Sequence, residues 1–147
     1  MMAKIREIAQ SMAQEPGALL PILHAIQDEF GYVPESAVPH IAAILNLSRA
    51  DVHGVISFYH LIRTTPPGRK TLYICRAESC RAMGGKAVED HARARLGIDY
   101  HQTTADGEVS LEPVYCLGNC TCSPSVMIDD RLYSRIDPAR LDELLQS

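Results

Sequence analysis

The stretch Cys75-Arg-Ala-Glu-Ser-Cys80 and its counterpart Cys116-Leu-Gly-Asn-Cys120 carry four of the five cysteines of this chain. Each pair follows a short apolar run that predicts a β-strand, so each pair begins where a strand ends. Two loops of this kind can bring their thiolates to one cofactor. Four converging thiolates predict either an iron–sulfur cluster or a zinc ion.

The spacing within the pairs bears on the choice of metal. Structural zinc sites commonly use two Cys-x2-Cys knuckles, and both spacings here are longer. The first spacing matches the Cys-x4-Cys opening of plant-type [2Fe–2S] ligand sets, although their following x2 step is missing. A [2Fe–2S] rhomb is wider than one ion, and each iron takes two thiolates, so looser pairs favour it. Zinc and a dithiol redox site remain alternatives.

Composition bounds the class of protein. The chain has 147 residues, of which 46% are hydrophobic and 22% charged, enough for one domain with a helical appendage. A net charge of −4 with scattered basic residues argues against nucleic-acid binding. No apolar run approaches the roughly 20 residues of a membrane span, and the N-terminus lacks signal-peptide features. We therefore expect a cytoplasmic protein, whose reduced cysteines bind metal rather than form disulfides.

Residues 1–65 predict a small bundle of four short helices joined by brief connections. The second helix is expected to begin at Pro16 and to end at Gly31. The fourth is expected to begin after Ser48 as N-cap, with Asp51 in its first turn. The apolar faces of the four helices are marked, in chain order, by Ile5 and Met12, Leu23 and Ile26, Ile41 and Leu45, and Val52 and Ile56.

Residues 66–147, which begin within the break Thr64-Thr-Pro-Pro-Gly68, predict an α/β sandwich in the order β-α-β-β-β-α. Strands are expected over Thr71–Ile74 and Val109–Tyr115. Pro113 places the second of these at a sheet edge or at the end of the strand. The other expected elements are a helix from Cys80 to Leu96 with Met83 and Val88 inward and Gly97 as its cap, a hairpin of Val126–Ile128 with Leu132–Ile136, and a last helix after Asp137-Pro138.

Several runs carry a family resemblance, namely Cys116-Leu-Gly-Asn-Cys120, Val126-Met-Ile-Asp-Asp130, Val55-Ile-Ser-Phe58-Tyr59 and the Cys75-x4-Cys80 pair. In these runs, the chain resembles the 24-kDa subunit family of NADH:quinone oxidoreductases. The resemblance implies a thioredoxin-like [2Fe–2S] ferredoxin domain, preceded by a helical region, residues 1–65, that docks onto a partner. That partner would be a flavin- and NADH-binding subunit, which carries the FMN and the NAD.

The same module occurs in NAD-linked hydrogenases and in soluble, molybdenum-dependent NAD formate dehydrogenases. Through Cys-Arg-Ala-Glu-Ser-Cys-Arg-Ala-Met-Gly-Gly85 and Tyr115-Cys-Leu-Gly-Asn-Cys120, the chain most resembles the gamma subunit of the formate dehydrogenases. The resemblance thus implies an electron-transfer subunit of an oxidoreductase complex. Because the sequence offers no plausible acid–base pair or activated nucleophile, we expect no catalytic residues in this chain. Whether the parent complex oxidises formate, hydrogen or NADH depends on a substrate site that would lie on another chain.

The expected cluster ligands are Cys75, Cys80, Cys116 and Cys120. The chain departs from most relatives at Cys122, which competes with Cys120 for the fourth position. Two rival functions stay open: a zinc-stapled interaction module, and a thioredoxin-like dithiol enzyme, which is disfavoured because no Cys-x2-Cys opens a helix here.

Two arginines adjoin the expected ligands, Arg76 after Cys75 and Arg81 after Cys80. Positive charge near an iron–sulfur cluster raises its reduction potential, because reduction adds negative charge. We expect these arginines to serve that purpose, with solvated surface residues as the alternative.

Overall fold

The structure, a computed structural model, describes residues 1–146. It divides the chain into a helical unit, Met1–Pro66, and a mixed α/β unit that begins at Pro67. Each unit has its own cluster of buried apolar side chains. Across residues 1–146, no helix combines the length and the apolar character that crossing a lipid bilayer demands.

The helical unit contains the four predicted helices, which are α1 (Met2–Met12), α2 (Leu19–Phe30), α3 (Val38–Leu45) and α4 (Arg49–Phe58). The predicted start of the second helix at Pro16 is wrong. Gly17 has a φ of +70°, a left-handed conformation that a right-handed helix cannot include, so α2 starts only at Leu19. Its predicted end is confirmed, because Gly31 adopts φ +80° and donates its N–H to the Gln27 carbonyl.

The predicted start of α4 is also confirmed. The Asp51 N–H donates to Ser48 Oγ at 3.1 Å, and the Ser48 N–H donates to Asp51 Oδ2 at 3.0 Å, which forms a reciprocal capping box. The hydrogen bond from the Ser48 hydroxyl holds the pKa of Asp51 below its usual value. The helices enclose a core whose largest fully buried members include Ile5, Ile22, Leu23, Ile26, Ile41 and Val52.

The α/β unit is built on one five-stranded sheet with the strand order β2-β3-β1-β4-β5. The strands are β1 (Lys70–Cys75), β2 (Gln102–Thr103), β3 (Val109–Val114), β4 (Val126–Ile128) and β5 (Arg131–Tyr133). Strands β1 and β3 are parallel, and the other pairs are antiparallel. Strand β2 is an addition to the predicted order, since two residues are too few to show an alternating pattern.

Pro113 lies where the sequence predicted, at an open edge near the end of its strand. Strand β2 pairs only with Ser110 and Leu111 of β3, so β3 extends beyond its outer neighbour at Pro113. On its other side, Pro113 is in register with Ile74 of β1. A prolyl nitrogen is tolerated there because β2 does not extend far enough to need its N–H.

The predicted continuous helix from Cys80 to Leu96 is wrong. The structure has a short turn of helix, α5 (Glu78–Cys80), an irregular π-type turn, Arg81–Gly85, and then α6 (Lys86–Leu96). Gly84 adopts φ +96°, which interrupts the helix and turns Met83 outward, where it is 63% exposed rather than buried. The last helix, α7 (Pro138–Gln146), packs with α6 over the sheet, and their shared core includes Leu72, Ile74, Val88, Leu111, Val126 and Leu141.

Candidate metal centre

The two cysteine pairs meet at one end of the sheet. Cys75 is the last residue of β1 and is in register with Val114, the last residue of the parallel strand β3. The chain leaves β3 and reaches Cys116 two residues later. Because the two parallel neighbours end together, the loops that follow them lie side by side, as the positions of the pairs after two strands predicted.

The thiols influence one another in two pairs. Besides its burial, the neighbouring Cys80 thiol raises the pKa of Cys75, and the Cys116 thiol raises the pKa of Cys120. The charge of Cys80 also raises the pKa of Cys120, so the two pairs belong to one group. Within residues 1–146, no three His, Cys, Asp or Glu side chains are placed so as to hold a single metal ion.

The two pairs differ in their exposure to solvent. Cys75 and Cys80 are buried, with 4% and 3% of their surfaces accessible, whereas Cys116 and Cys120 are exposed. Burial raises the pKa of the Cys75 thiol. Burial opposes ionisation of Cys80 as well, but hydrogen bonds, that from Ser123 first among them, outweigh it and lower the pKa of that thiol. The neighbouring Cys116 thiol raises the pKa of Cys120.

Backbone N–H groups reach the sulfur atoms. The Gly118 N–H donates to Cys116 Sγ at 3.2 Å, and Gly118 adopts φ +72°, which turns the loop tightly enough for that contact. The backbone N–H groups of Ala77 and Leu117 also lower the pKa of Cys75 against the effect of its burial. Such donors stabilise thiolate charge, whether free or bound to a metal.

Serine side chains join the two cysteine loops. Ser79 Oγ donates to the Cys120 carbonyl at 2.9 Å and lies 2.8 Å from Ser123 Oγ. Ser123 Oγ also contacts the Cys120 carbonyl at 2.9 Å and lies 3.5 Å from Cys80 Sγ. No sequence pattern singles out these serines. Each of these serines adjoins a cysteine, as in Ser79-Cys80 and Cys122-Ser123, which is the only local indication of their role. Nothing in the sequence predicts that Ser79 and Ser123 contact each other.

The fifth cysteine lies at the end of the 3₁₀ turn Cys120–Cys122. Its N–H donates to the Asn119 carbonyl at 3.0 Å, and its half-buried thiol contacts Thr121 Oγ1 at 3.8 Å. Asn119 in turn donates its side-chain amide to Ser125 Oγ at 3.0 Å, which anchors the loop. Both Cys120 and Cys122 are therefore held in a defined loop, and the effect of the Cys116 thiol on its pKa distinguishes Cys120.

A glycine allows the close approach of two backbone segments beside Cys80. A Cβ atom on Gly85 would lie 2.6 Å from the Cys80 carbonyl oxygen and 2.9 Å from its carbonyl carbon. Any side chain at position 85 would therefore displace the backbone of Cys80.

The two arginines next to the expected ligands differ in their surroundings. Arg76 Nε donates to Glu89 Oε2 at 3.0 Å, and the side chain of Glu89 is only 5% exposed. Arg81 is exposed. Arg76 is thus part of a partly buried ion pair, whereas Arg81 is an exposed surface residue.

Two known proteins are similar to this chain over most of its length. An NADH-quinone oxidoreductase subunit of Pseudomonas aeruginosa is 38% identical over 130 residues, which are 88% of this chain and 78% of the relative. The HndA subunit of an NADP-reducing hydrogenase of Solidesulfovibrio fructosivorans is 31% identical over 143 residues, 95% of this chain and 84% of the relative. Both relatives are subunits of oxidoreductases by name.

A solved structure has a similar fold over most of this chain. The crystal structure of an NAD⁺-reducing [NiFe]-hydrogenase in the H₂-reduced state matches 87% of this chain with a TM-score of 0.69 and 26% sequence identity. The chain spans about a fifth of that hydrogenase chain, since the match covers 21% of its length. The family model for thioredoxin-like [2Fe–2S] ferredoxins matches residues 5–147. Because that match covers nearly the whole sequence, the chain belongs to the thioredoxin-like [2Fe–2S] ferredoxin family, and the fold that the resemblance implied is confirmed.

Proposed function

We propose that this chain is an electron-transfer subunit that holds one [2Fe–2S] cluster through Cys75, Cys80, Cys116 and Cys120. The observation that carries the proposal is the grouping of four thiols into two neighbouring pairs, on the loops that follow two parallel strands at one end of the sheet. Thiolates are the ligands that iron–sulfur clusters take, and two per iron is the number that a [2Fe–2S] rhomb needs. The donor set therefore fits the cofactor for which the family is named.

A bound [2Fe–2S] cluster supplies one-electron chemistry. The chain contributes the environment. The buried pair, Cys75 and Cys80, would keep one side of the cluster away from water. The exposed pair, Cys116 and Cys120, would hold the other side at the protein surface. Electron transfer to a partner would pass through this exposed side, since it offers the shortest approach from outside the protein. Tyr115, which is 56% exposed, lies next to it in the chain.

We infer that the electron partner is a flavin- and NADH-binding subunit that carries FMN and NAD. Hydride chemistry at nicotinamide moves two electrons, whereas the cluster handles one, so a flavin must stand between them. The names of the relatives, a subunit of NADH-quinone oxidoreductase and a subunit of an NADP-reducing hydrogenase, support membership in such a complex. The complex would be cytoplasmic, in keeping with the reduced state that thiolate ligands need.

As the specific parent complex we propose an NAD-dependent formate dehydrogenase, of which this chain would be the gamma subunit. The support is that the sequence runs around Cys80 and Cys116 resemble those of the formate dehydrogenase gamma subunit. The equivalent subunit of an NADH:quinone oxidoreductase or of an NAD-linked hydrogenase is the alternative, and the names of the relatives favour it. Expression of the intact complex and assay with formate, hydrogen and NADH as electron donors distinguishes the three.

The helical region, residues 1–65, is proposed as the docking surface for the flavin-bearing subunit. It exposes large apolar side chains, with Phe58 77% and Leu61 52% accessible. An open, mainly apolar groove of about 620 Å³ is lined by residues that include Leu19, Leu47, Val55, Phe58 and Tyr59. Contiguous apolar surface of this kind is typical of protein–protein interfaces.

Substitution in the groove tests the docking surface. Phe58→Asp should reduce co-purification of the full-length protein with the flavin subunit, because it places a charge in an apolar contact. Leu132→Asp is the control, since Leu132 is a 47% exposed apolar residue in the other unit. Equal co-purification of both variants and the wild type would rule out a role of this groove.

Metal analysis tests the cluster. The protein, purified without oxygen, should be red-brown and contain about two irons and two acid-labile sulfides per chain. Its reduced form should give an electron paramagnetic resonance signal. Colourless protein with stoichiometric zinc would instead favour a zinc-stapled interaction module, in which the thiols bind one ion and carry no electron.

A further inference from the structure

Glu89, on α6, is a carboxylate buried to 4% exposure. Burial of a charged carboxylate is costly unless cations and hydrogen-bond donors compensate it. Two arginines do so here: Arg76 Nε donates to Glu89 Oε2 at 3.0 Å, and Arg93 Nη1 lies 3.7 Å from Glu89 Oε1. Glu89 is thus the negative centre of a compact ionic group.

An aromatic ring completes this group. The guanidinium carbons of Arg76 and Arg93 lie 5.3 Å and 5.5 Å from the centroid of the Tyr100 ring, within the range of cation–π attraction. Arg93 also pairs with Asp99. Burial and the charge of Glu89 raise the pKa of Tyr100 well above its usual value, so the phenol stays neutral. The two arginines and the two carboxylates therefore balance one another in charge.

The group is joined to both cysteine loops through Arg76. Arg76 follows Cys75 directly, and its N–H donates to the Val114 carbonyl at 2.8 Å, two residues before Cys116. After Glu89, the side chain of Tyr115, the residue before Cys116, also contributes to the raised pKa of the Arg76 guanidinium. The Arg76 backbone therefore adjoins the start of each pair, and Glu89 is the residue that pairs with its guanidinium.

We propose that Glu89 is a positioning residue that lowers the reduction potential of the cluster, by holding the Arg76 guanidinium in place and offsetting its positive charge. This inference rests on the proposed function, since it needs the cluster between the two loops. Reduction adds one negative charge, which a buried carboxylate disfavours and an arginine favours. Because Glu89 is buried, solvent and salt screen its charge less than they screen the charge of a surface carboxylate.

Redox titration of the full-length holoprotein tests this role, followed by visible absorbance and electron paramagnetic resonance. Glu89→Gln, which keeps the shape and a hydrogen-bond acceptor for Arg76, should raise the midpoint potential. Arg76→Gln should lower it, and the double variant should return towards the wild-type value. Asp90→Asn is the matched control: Asp90 is the next residue on α6, carries the same charge and is 55% exposed, so its removal should leave the potential nearly unchanged.

The outcomes separate the two proposals. If the wild type holds no iron and sulfide, the proposed function fails. If the wild type is loaded but Glu89→Gln has the wild-type potential, or shifts no more than Asp90→Asn, this inference alone is overturned. If Glu89→Gln does not retain the cluster, the comparison moves to the Arg76→Gln background. There, a higher potential in the double variant supports the role of Glu89, and an equal or lower potential overturns it.

Discussion

Ser79 and Cys120 lie 41 residues apart in the chain, yet the Ser79 hydroxyl donates a 2.9 Å hydrogen bond to the backbone carbonyl of Cys120. Ser123 Oγ, which lies 2.8 Å from Ser79 Oγ, reaches the same carbonyl at 2.9 Å. The backbone of Cys120 is therefore fixed relative to the loop that carries Cys80. This relationship favours Cys120 over Cys122 as the fourth ligand, because the pairs must keep a constant separation to share a cluster.

The first prediction concerns that choice. Cys120→Ser should lose most of the iron or change the electron paramagnetic resonance spectrum markedly, since Cys120 lies near Cys116 and a hydroxyl is a poor substitute for a thiolate. Cys122→Ser should keep a normal cluster, with at most a shift in potential. Iron content and spectra of the two variants decide the matter. The reverse pattern, with a normal cluster only in Cys120→Ser, would assign the fourth position to Cys122.

The second prediction concerns the close approach at Gly85. Gly85→Ala should lower the free energy of unfolding by roughly 1–3 kcal/mol, a typical cost of overpacking, because the new Cβ would collide with the Cys80 backbone. It should also lower iron content, since Cys80 is a proposed ligand. Urea unfolding followed by circular dichroism measures the first effect.

Gly54→Ala is the control for this substitution. Gly54 lies within α4, and no heavy atom lies within 4 Å of a Cβ built there. Alanine should therefore raise stability by roughly 0.5–1 kcal/mol through its better helix propensity. Equal stability of Gly85→Ala and the wild type would show that the Cys80 segment can shift freely.

The third prediction separates the two arginines next to the ligands. Arg81 is exposed, so water and salt screen its charge, whereas Arg76 is held against buried Glu89. Arg81→Ala should therefore lower the midpoint potential less than Arg76→Gln does, and its effect should shrink further at high ionic strength. An Arg81→Ala shift equal to that of Arg76→Gln would mean that Arg81 turns towards the cluster in the holoprotein.

The fourth prediction concerns acid stability of the helical unit. The pKa of Asp51 is below its usual value of about 3.9 because of the Ser48 hydrogen bonds, so folding favours the ionised form. The contribution of Asp51 is complete above its unfolded-state pKa and is lost as the pH falls through the lower folded-state value. Asp51→Asn should therefore be less stable than the wild type at pH 7, and the difference should narrow below about pH 4.

Thermal unfolding of both proteins between pH 7 and pH 2 measures this convergence. Ser48→Ala, which removes the capping hydroxyl itself, should cost about 1 kcal/mol at neutral pH. A difference between Asp51→Asn and the wild type that stayed constant with pH would mean that the charge of Asp51 does not contribute to the cap.

Local signals in the sequence were sufficient for most of the helices and strands and for the position of each cysteine pair after a strand. Ser48 followed by Asp51 predicted the start of α4, and Gly31 predicted the end of α2, because caps involve neighbours in the chain. The apolar runs before Cys75 and Cys116 predicted strands, and parallel strands that end together necessarily bring their loops together. The same logic failed from Cys80 to Leu96, where the left-handed Gly84 turns the chain and exposes Met83.

By itself, then, the sequence determined most of the helices and strands, the cysteine spacing and the family, since these depend on residues close in the chain. Only the tertiary structure decided which pair of thiols is buried, that Ser79 reaches Cys120, and that Glu89 is the partner of Arg76. Those contacts join residues from different elements. Their energies come from burial and hydrogen-bond geometry, which arise only when the sheet and α6 have packed together.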